Sequence, residues 1–239
     1  MNGYRKELKF IVGDDILIDT ENRISTIMRR DEHQNGKFYK IRSVYFDSMA
    51  YTCYRENLAG VSPREKYRIR TYDCSDKVIM AEVKIRYADT ISKMSTPIDM
   101  EHFEALIQPD PIKRQRAVIC AFKEDRGNRV IEKYLDKIVN ESYIPAVVVD
   151  YERSAFVYDI CNVRITIDRN TFASREFDRM FDETLTGRPA VENGHHILEI
   201  KYNEFLPDEI KEVLGGLSLH RTSSSKYTKC IDTFENFAL

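Results

Sequence analysis

The sequence has no surplus of either charge. Its 37 Lys and Arg stand against 39 Asp and Glu, a formal net charge of −2. No global basic field points to nucleic acid, so any anion site must be a local cluster hidden in that balance. Cysteines are few and scattered. The five, Cys53, Cys74, Cys120, Cys161 and Cys230, are odd in number and form no C-x-x-C pair. That argues against a zinc site or a disulfide framework and for reduced thiols. No apolar run approaches the roughly 20 residues of a membrane-spanning helix. The stretch from Met1 to Phe10 is charged and lacks the apolar core of a signal peptide. These absences predict a soluble, cytoplasmic protein. Linkers, low-complexity tracts and internal repeats are also absent. No Ser-His-Asp or Cys-His arrangement is recognisable, which leaves covalent catalysis without support.

What is present is ample core material and much charge. The 239 residues suit one large domain or a barrel with helical additions. A hydrophobic fraction of 42% can build a core, and the charged fraction of 32% exceeds the usual level. Period-two runs predict strands at about 4–12, 39–47, 64–73, 77–87, 90–96, 145–159, 162–169 and 195–202. Helical periodicity fills the gaps. Asp14 or Asp15 can cap a helix carrying Leu17, Ile24, Ile27 and Met28 on one face. The stretch 112–140 reads as one or two helices broken near Gly127. Pro207 opens another helix, which Gly215 and Gly216 close, and a last one is expected from Ser224 onward. Short turns such as Asp73–Asp76 join neighbouring strands, so the sheet should be mainly antiparallel.

Several strands repeat charge-x-charge with apolar residues between. Glu7 and Lys9 flank Leu8; Arg68 and Arg70 flank Ile69; Glu82, Lys84 and Arg86 alternate with Val83 and Ile85. Arg164 and Asp168 share a face opposite Val163, Ile165 and Ile167, and Glu199 and Lys201 flank Ile200. Because successive strand side chains point to opposite faces, each strand has one apolar and one ionic face. The ionic face either meets solvent, as one face of an antiparallel sheet commonly does, or lines a shared interior. Frequent arginine, whose planar fork suits phosphate, and glutamates within two residues of cations favour an anion-lined interior.

The ordered stretches Tyr-Arg-Lys-Glu-Leu-Lys-Phe at 4–10, Val-Tyr-Phe-Asp-Ser at 44–48, Lys-Tyr-Arg-Ile-Arg at 66–70 and Ala-Glu-Val-Lys at 81–84 span the first part of the chain. Asp-Tyr-Glu-Arg-Ser-Ala-Phe at 150–156, Val-Arg-Ile-Thr-Ile-Asp at 163–168, Ile-Leu-Glu-Ile-Lys at 197–201 and Ser-Ser-Lys-Tyr at 224–227 continue them. Together they resemble the VTC-type polyphosphate polymerase domain of the triphosphate tunnel metalloenzymes, a CYTH-like superfamily. The resemblance covers nearly the whole chain and implies one triphosphate-tunnel domain over 1–239, of α+β class. Its centre would be a closed eight-stranded antiparallel β-barrel with flanking helices. Carried over by motif, the phosphate-binding cations are Lys9, Arg68, Arg70, Lys84, Arg153, Arg164, Lys201 and Lys226. Of these, Arg68, Arg70, Lys84, Arg153, Arg164 and Lys226 would serve catalysis. Glu199 matches the family's metal carboxylate, with Glu7 and Glu82 as supporting acids for Mn2+ or Mg2+. One departure stands out: Ser223 occupies the first lysine position of the family's C-terminal Lys-x-Ser-Lys-Phe motif.

The implied reaction is polyphosphate synthesis from ATP. The alternatives are a tripolyphosphatase or nucleoside triphosphatase, and a binding module for polyphosphate that does not turn it over. ATP, tripolyphosphate or polyphosphate are the implied ligands, with no nucleic acid, no direct membrane insertion and room for a membrane partner. Eight cations against three glutamates cannot share a dry, empty interior, because burying unpaired ions costs several kcal/mol each. Other features are read more plainly. His195 and His196 face opposite ways on a strand, which disfavours ligation of one metal. Tyr45, Asp47 and Tyr51 are expected to stabilise the barrel end, Ser223 or Ser224 to cap the last helix, and Lys113, Arg114 and Arg116 to form a solvated helix face.

Overall fold

Alternation builds ten strands: β1 (Arg5–Gly13), β2 (Arg29–Arg30), β3 (Tyr39–Asp47), β4 (Arg64–Tyr72), β5 (Ile79–Tyr87), β6 (Thr90–Ile98), β7 (Ile144–Tyr158), β8 (Val163–Ser174), β9 (Arg188–Pro189) and β10 (His195–Tyr202). They belong to a computed structural model that describes residues 5–235 apart from 33, 35, 89 and 224. Tyr4 of the first motif and the expected helix start at Ser224 lie outside the described residues. The sheet runs β2-β7-β3-β4-β5-β6-β1-β10-β8-β9, and pairing of β7 with β8 closes it into an eight-stranded barrel. Every ladder is antiparallel. The strands β2 and β9 are short additions outside the ring.

The ladders differ in length. Strands β3 and β7 pair from Tyr39↔Arg153 to Asp47↔Ile144, and among the described residues β1 and β6 pair at Arg5↔Ile91 and Lys6↔Thr90. A bulge between Asp150 and Glu152 interrupts the pairing of β7 with β8.

Seven helices among the described residues pack outside the barrel: α1 (Asp14–Ile24), α2 (Thr52–Leu58), α3 (Met100–Ile107), α4 (Pro111–Ala121), α5 (Arg129–Val139), α6 (Asp208–Leu214) and α7 (Lys226–Asp232). Local chemistry sets their ends. Asp110 accepts from the Lys113 N–H, with Pro111 in the first turn of α4. Asn128 accepts from the N–H groups of Val130 and Ile131 to start α5. Gly127 lies between α4 and α5 at φ +95°, which a side chain would strain. The start of α1 differs from expectation: Gly13 is the N-cap, and Asp14 and Asp15 fill the first turn, where their charge favours the helix dipole. None of these helices is long and apolar enough to cross a membrane.

The apolar stripe of each strand turns outward under the helices. Phe10, Val12, Ile165, Ile167, Leu198 and Ile200 pack with Leu17, Ile24, Ile210 and Leu214. A larger cluster joins Ile69, Ile79, Val83, Phe46 and Val148 to Phe103, Val118, Ile131, Tyr134 and Ile231. Each fully buried Leu or Ile contributes about 1.5–3 kcal/mol. A fully buried ion pair sits within this outer layer. Arg42 donates to Asp150 at 2.6 Å, and to the carbonyls of Met180 at 3.0 Å and Asp182 at 2.8 Å. The expected solvated face of α4 also needs correction: Arg114 is buried and donates to the Pro109 carbonyl. Its stem packs while its head finds a backbone acceptor.

Candidate functional site

With the apolar stripe outward, the ionic stripe has only the interior to face. Ten cations and two carboxylates line one cavity inside the barrel: Lys9, Arg64, Lys66, Arg68, Arg70, Lys84, Arg86, Arg153, Lys201 and Lys226, with Glu7 and Glu199. A second cavity, toward the end where β1 begins and β10 stops, is lined by Arg5, Lys6, Lys93, Arg164, Asn162 and Asn203. The two share Glu7, Arg68, Arg70, Lys84 and Lys201, so they are adjoining compartments of one channel.

Register explains the convergence. Glu7 pairs with Lys201 and Lys9 with Glu199; Lys84 stands opposite both Lys66 and Lys93; Arg153 stands opposite Asp168. Directly paired residues share a face, so each pair enters the channel together. Lys9 lies 3.4 Å from Glu7 and 3.5 Å from Glu199, and Lys201 lies 3.5 and 2.8 Å from the same two carboxylates. Glu7 also meets Lys84 at 3.4 Å. Glu82 is held separately, by Arg68 at 2.6 Å, Lys93 at 2.5 Å and Arg70 at 4.0 Å. Asp168 takes two bonds from Arg153, at 2.6 and 2.7 Å, and the Lys226 ammonium at 2.5 Å.

The structure therefore brings Lys9, Arg68, Arg70, Lys84, Arg153, Lys201, Lys226, Glu7 and Glu199 to one cavity. Two expected site residues stand apart. Arg164 belongs to the second compartment, where it pairs with Asp31 and approaches the Tyr39 hydroxyl at 3.4 Å. Glu82 lies beneath the wall, 1% exposed, and does not join the other two glutamates. Among the described residues, no group of three or more His, Cys, Asp or Glu could by itself hold a metal ion. His196 bonds Asp14 at 2.7 Å and His195 lies 3.8 Å from Glu192, on opposite faces as expected.

Crowded charges shift one another. Burial would raise Glu7 and Glu199, but Lys84 and Lys9 around Glu7, and Lys201 and Lys226 around Glu199, hold both below the usual carboxylate range. Burial would also lower Lys226, yet Asp168 and Glu199 lift it above the ordinary lysine value. At Lys84 burial wins: despite Glu7, and with Lys9 and Lys201 adding repulsion, the ammonium falls to about 7. Lys66 also falls well below its usual value, through burial and then Lys9 and Lys84.

Helix α7 delivers Lys226 from outside the barrel. Its N-cap is Ser225, not Ser223 or Ser224, and the Ser225 side chain makes no capping bond. Instead its hydroxyl accepts from Lys66 at 2.7 Å. The helix is fixed by Asp47, which accepts from the N–H groups of Cys53 at 2.8 Å and Tyr54 at 3.0 Å and from the Tyr227 hydroxyl. Asp47 thus ties the end of β3 to α2 and α7. Tyr45 has a different place from the barrel-end role expected of it. It lines the channel, stacks on Tyr227 at 5.1 Å and accepts from Arg68 at 2.9 Å.

Sequence reasoning missed Lys66, Arg64, Lys93, Tyr151 and the pairing role of Asp168. Lys66 and Arg64 carried a readable signal, since they continue the alternation of Arg68 and Arg70. Tyr151 carried a weaker one: it stands two positions before Arg153 and so shares its face, and its hydroxyl accepts from Arg70 at 3.2 Å.

A family model described as the VTC domain matches residues 4–235. The chain belongs to the VTC domain family. This VTC domain is also similar in fold to solved structures of low identity. A candidate adenylate cyclase from Vibrio parahaemolyticus is 12% identical, with a TM-score of 0.50 over 96% of this chain and 98% of that one. Another from Bacillus halodurans is 13% identical, with a TM-score of 0.49 over 92% and 95%. The Mimivirus capping enzyme triphosphatase is 12% identical, with a TM-score of 0.39 over 89% of each chain. No curated protein matches the VTC domain described here.

Proposed function

We propose that this VTC domain transfers phosphoryl groups on triphosphate and polyphosphate chains lying in the channel, and that it makes polyphosphate from ATP with Mn2+ or Mg2+. The observation that carries this reading is the wall of ten cations against two carboxylates. Counting Glu82 and Asp168, which neutralise part of it from behind, the wall still has six more cations than carboxylates; such a surplus needs a compensating polyanion or much water, because unpaired buried charge costs several kcal/mol. A linear phosphate chain supplies negative charge at short, regular intervals along a narrow bore.

Phosphoryl transfer asks a protein chiefly for position and charge stabilisation. In this reading Arg68, Arg70 and Arg153 present planar forks to phosphate oxygens, and Lys9, Lys84, Lys201 and Lys226 act as point charges. Glu82 and Asp168 hold the arginines in place, Glu82 with Arg68 and Arg70, Asp168 with Arg153. Arg164 in the second compartment receives the part of the chain that extends past the first.

The donor set fits a hard divalent ion. Single ammonium groups span Glu7 and Glu199, so these two carboxylates face one small volume. Mg2+ and Mn2+ are commonly held by one or two carboxylates together with substrate phosphates. Glu199 and Glu7 would hold the ion, with Lys9 and Lys201 turning onto phosphate. Held there, such an ion would supply positive charge to the phosphoryl group in transfer.

The test is purified protein with ATP and manganese, resolved on a gel. Long phosphate polymers are the expected product. Orthophosphate alone would show hydrolysis instead, and binding without product would show a module that only holds the chain.

A further inference from the structure

Most cations of this wall already have an acid. Lys9, Lys84, Lys201 and Lys226 each have a carboxylate within 3.5 Å. Lys66 has none among the described residues. Its ammonium rests on two neutral oxygens, Asn57 Oδ1 at 2.5 Å and Ser225 Oγ at 2.7 Å, and lies 5.5 Å from the centre of the Tyr227 ring. The charged groups that face it, Lys9 on β1, Lys84 on β5 and Arg64 on its own strand, are all cations; Cys53 on α2 is the remaining titratable neighbour.

Neutral acceptors orient an ammonium without neutralising it, so this arrangement points the charge and leaves it unspent. On β4 the inward positions run Arg70, Arg68, Lys66, Arg64. Two residues along a strand span about 6.6 Å. Lys66 therefore sits one inward position beyond Arg68, toward the opening flanked by Arg64, Asn57 and Ser225.

We propose that Lys66 is a further phosphate-binding residue, oriented by Asn57 and Ser225 to take a phosphate of the chain outboard of those held by Arg68 and Arg70. It thereby favours a triphosphate or longer chain over a diphosphate. This inference rests on the channel being a polyphosphate site. In the empty channel burial and the surrounding cations disfavour the Lys66 ammonium, so the residue is retained at a cost to stability that a bound phosphate offsets.

The test compares wild type, Lys66→Met and Arg70→Ala by calorimetric titration with tripolyphosphate and with pyrophosphate, and by melting without ligand. A charge-assisted contact is worth a roughly ten- to hundredfold change in affinity. Lys66→Met should lose that much for tripolyphosphate and much less for pyrophosphate, and should melt no lower than wild type when unliganded. A structural lysine would give the opposite melting result, and a lower melting point for Lys66→Met overturns the proposal. Unchanged tripolyphosphate affinity in Lys66→Met alongside lost affinity in Arg70→Ala overturns it too, as does an equal loss for both ligands. Full affinity in both variants would instead remove the polyphosphate site itself.

Discussion

Replacing Asp168 by asparagine keeps the shape of the side chain and removes its charge. Asp168 is 1% exposed and takes two bonds from Arg153, at 2.6 and 2.7 Å, and one from Lys226 at 2.5 Å. Breaking a buried ion pair by removing one partner costs about 3–5 kcal/mol. Glu199 remains 3.8 Å from Arg153 and 3.1 Å from Lys226, so the lower end of that range applies. About 3 kcal/mol corresponds to a fall of roughly 6–12 °C in melting temperature for a chain of this size. Polyanion should repair much of it. The variant leaves one more uncompensated charge on the wall, so tripolyphosphate should bind more tightly than to wild type. Ligand at 100 times its Kd adds about 2.7 kcal/mol to the folded state. The assay is thermal melting at low salt with and without tripolyphosphate. A variant that melts within 2 °C of wild type, or gains less from tripolyphosphate than wild type does, would refute the reasoning that Asp168 neutralises Arg153 and Lys226.

Three further outcomes are expected. Arg70→Ala and Lys84→Ala should each abolish the stabilisation by tripolyphosphate while leaving a folded barrel, read by melting and circular dichroism. Acid should destabilise the domain in a defined direction. Burial would raise Glu82 and Glu199, but Arg68 and Arg70 around the first, and Lys201 and Lys226 around the second, depress both. Their stabilising contribution is full above the unfolded carboxyl value of about 4.3 and is lost as pH falls through the lower folded values, so urea midpoints should drop steeply below about pH 4. Tyr227→Phe removes a hydroxyl donor from buried Asp47 and should cost about 1.5–3 kcal/mol in urea unfolding, with weaker tripolyphosphate binding as α7 loosens its hold on Lys226.

Much of the barrel was legible because each strand carries two messages at once. In β4 the apolar series Tyr67, Ile69 marks the helix side and the cation series Arg64, Lys66, Arg68, Arg70 marks the bore. A period of two can be read from sequence alone. The short helices α2 and α3 were not read, whereas α6, equally short, is announced by Pro207 at its start and Gly215-Gly216 at its end. Strand β8 runs on to Ser174, past the alternation seen to 169. The site was legible where charge alternated and illegible where chemistry came from elsewhere. Lys226 reaches the channel from a helix, so no strand pattern announced it, and only the motif resemblance did. Glu82 and Glu199 share the same local pattern, yet register and neighbouring arginines give them different places. Arg114 shows the converse, a basic run whose middle member is buried.

The tie at Asp47 has a consequence for the bore. One buried carboxylate gathers the end of β3, the start of α2 and the Tyr227 hydroxyl of α7. Lys226 directly precedes Tyr227, so its ammonium is aimed by a bracket that lies behind the wall. A change at the corner between β3 and α2 therefore reaches the channel without touching a channel residue.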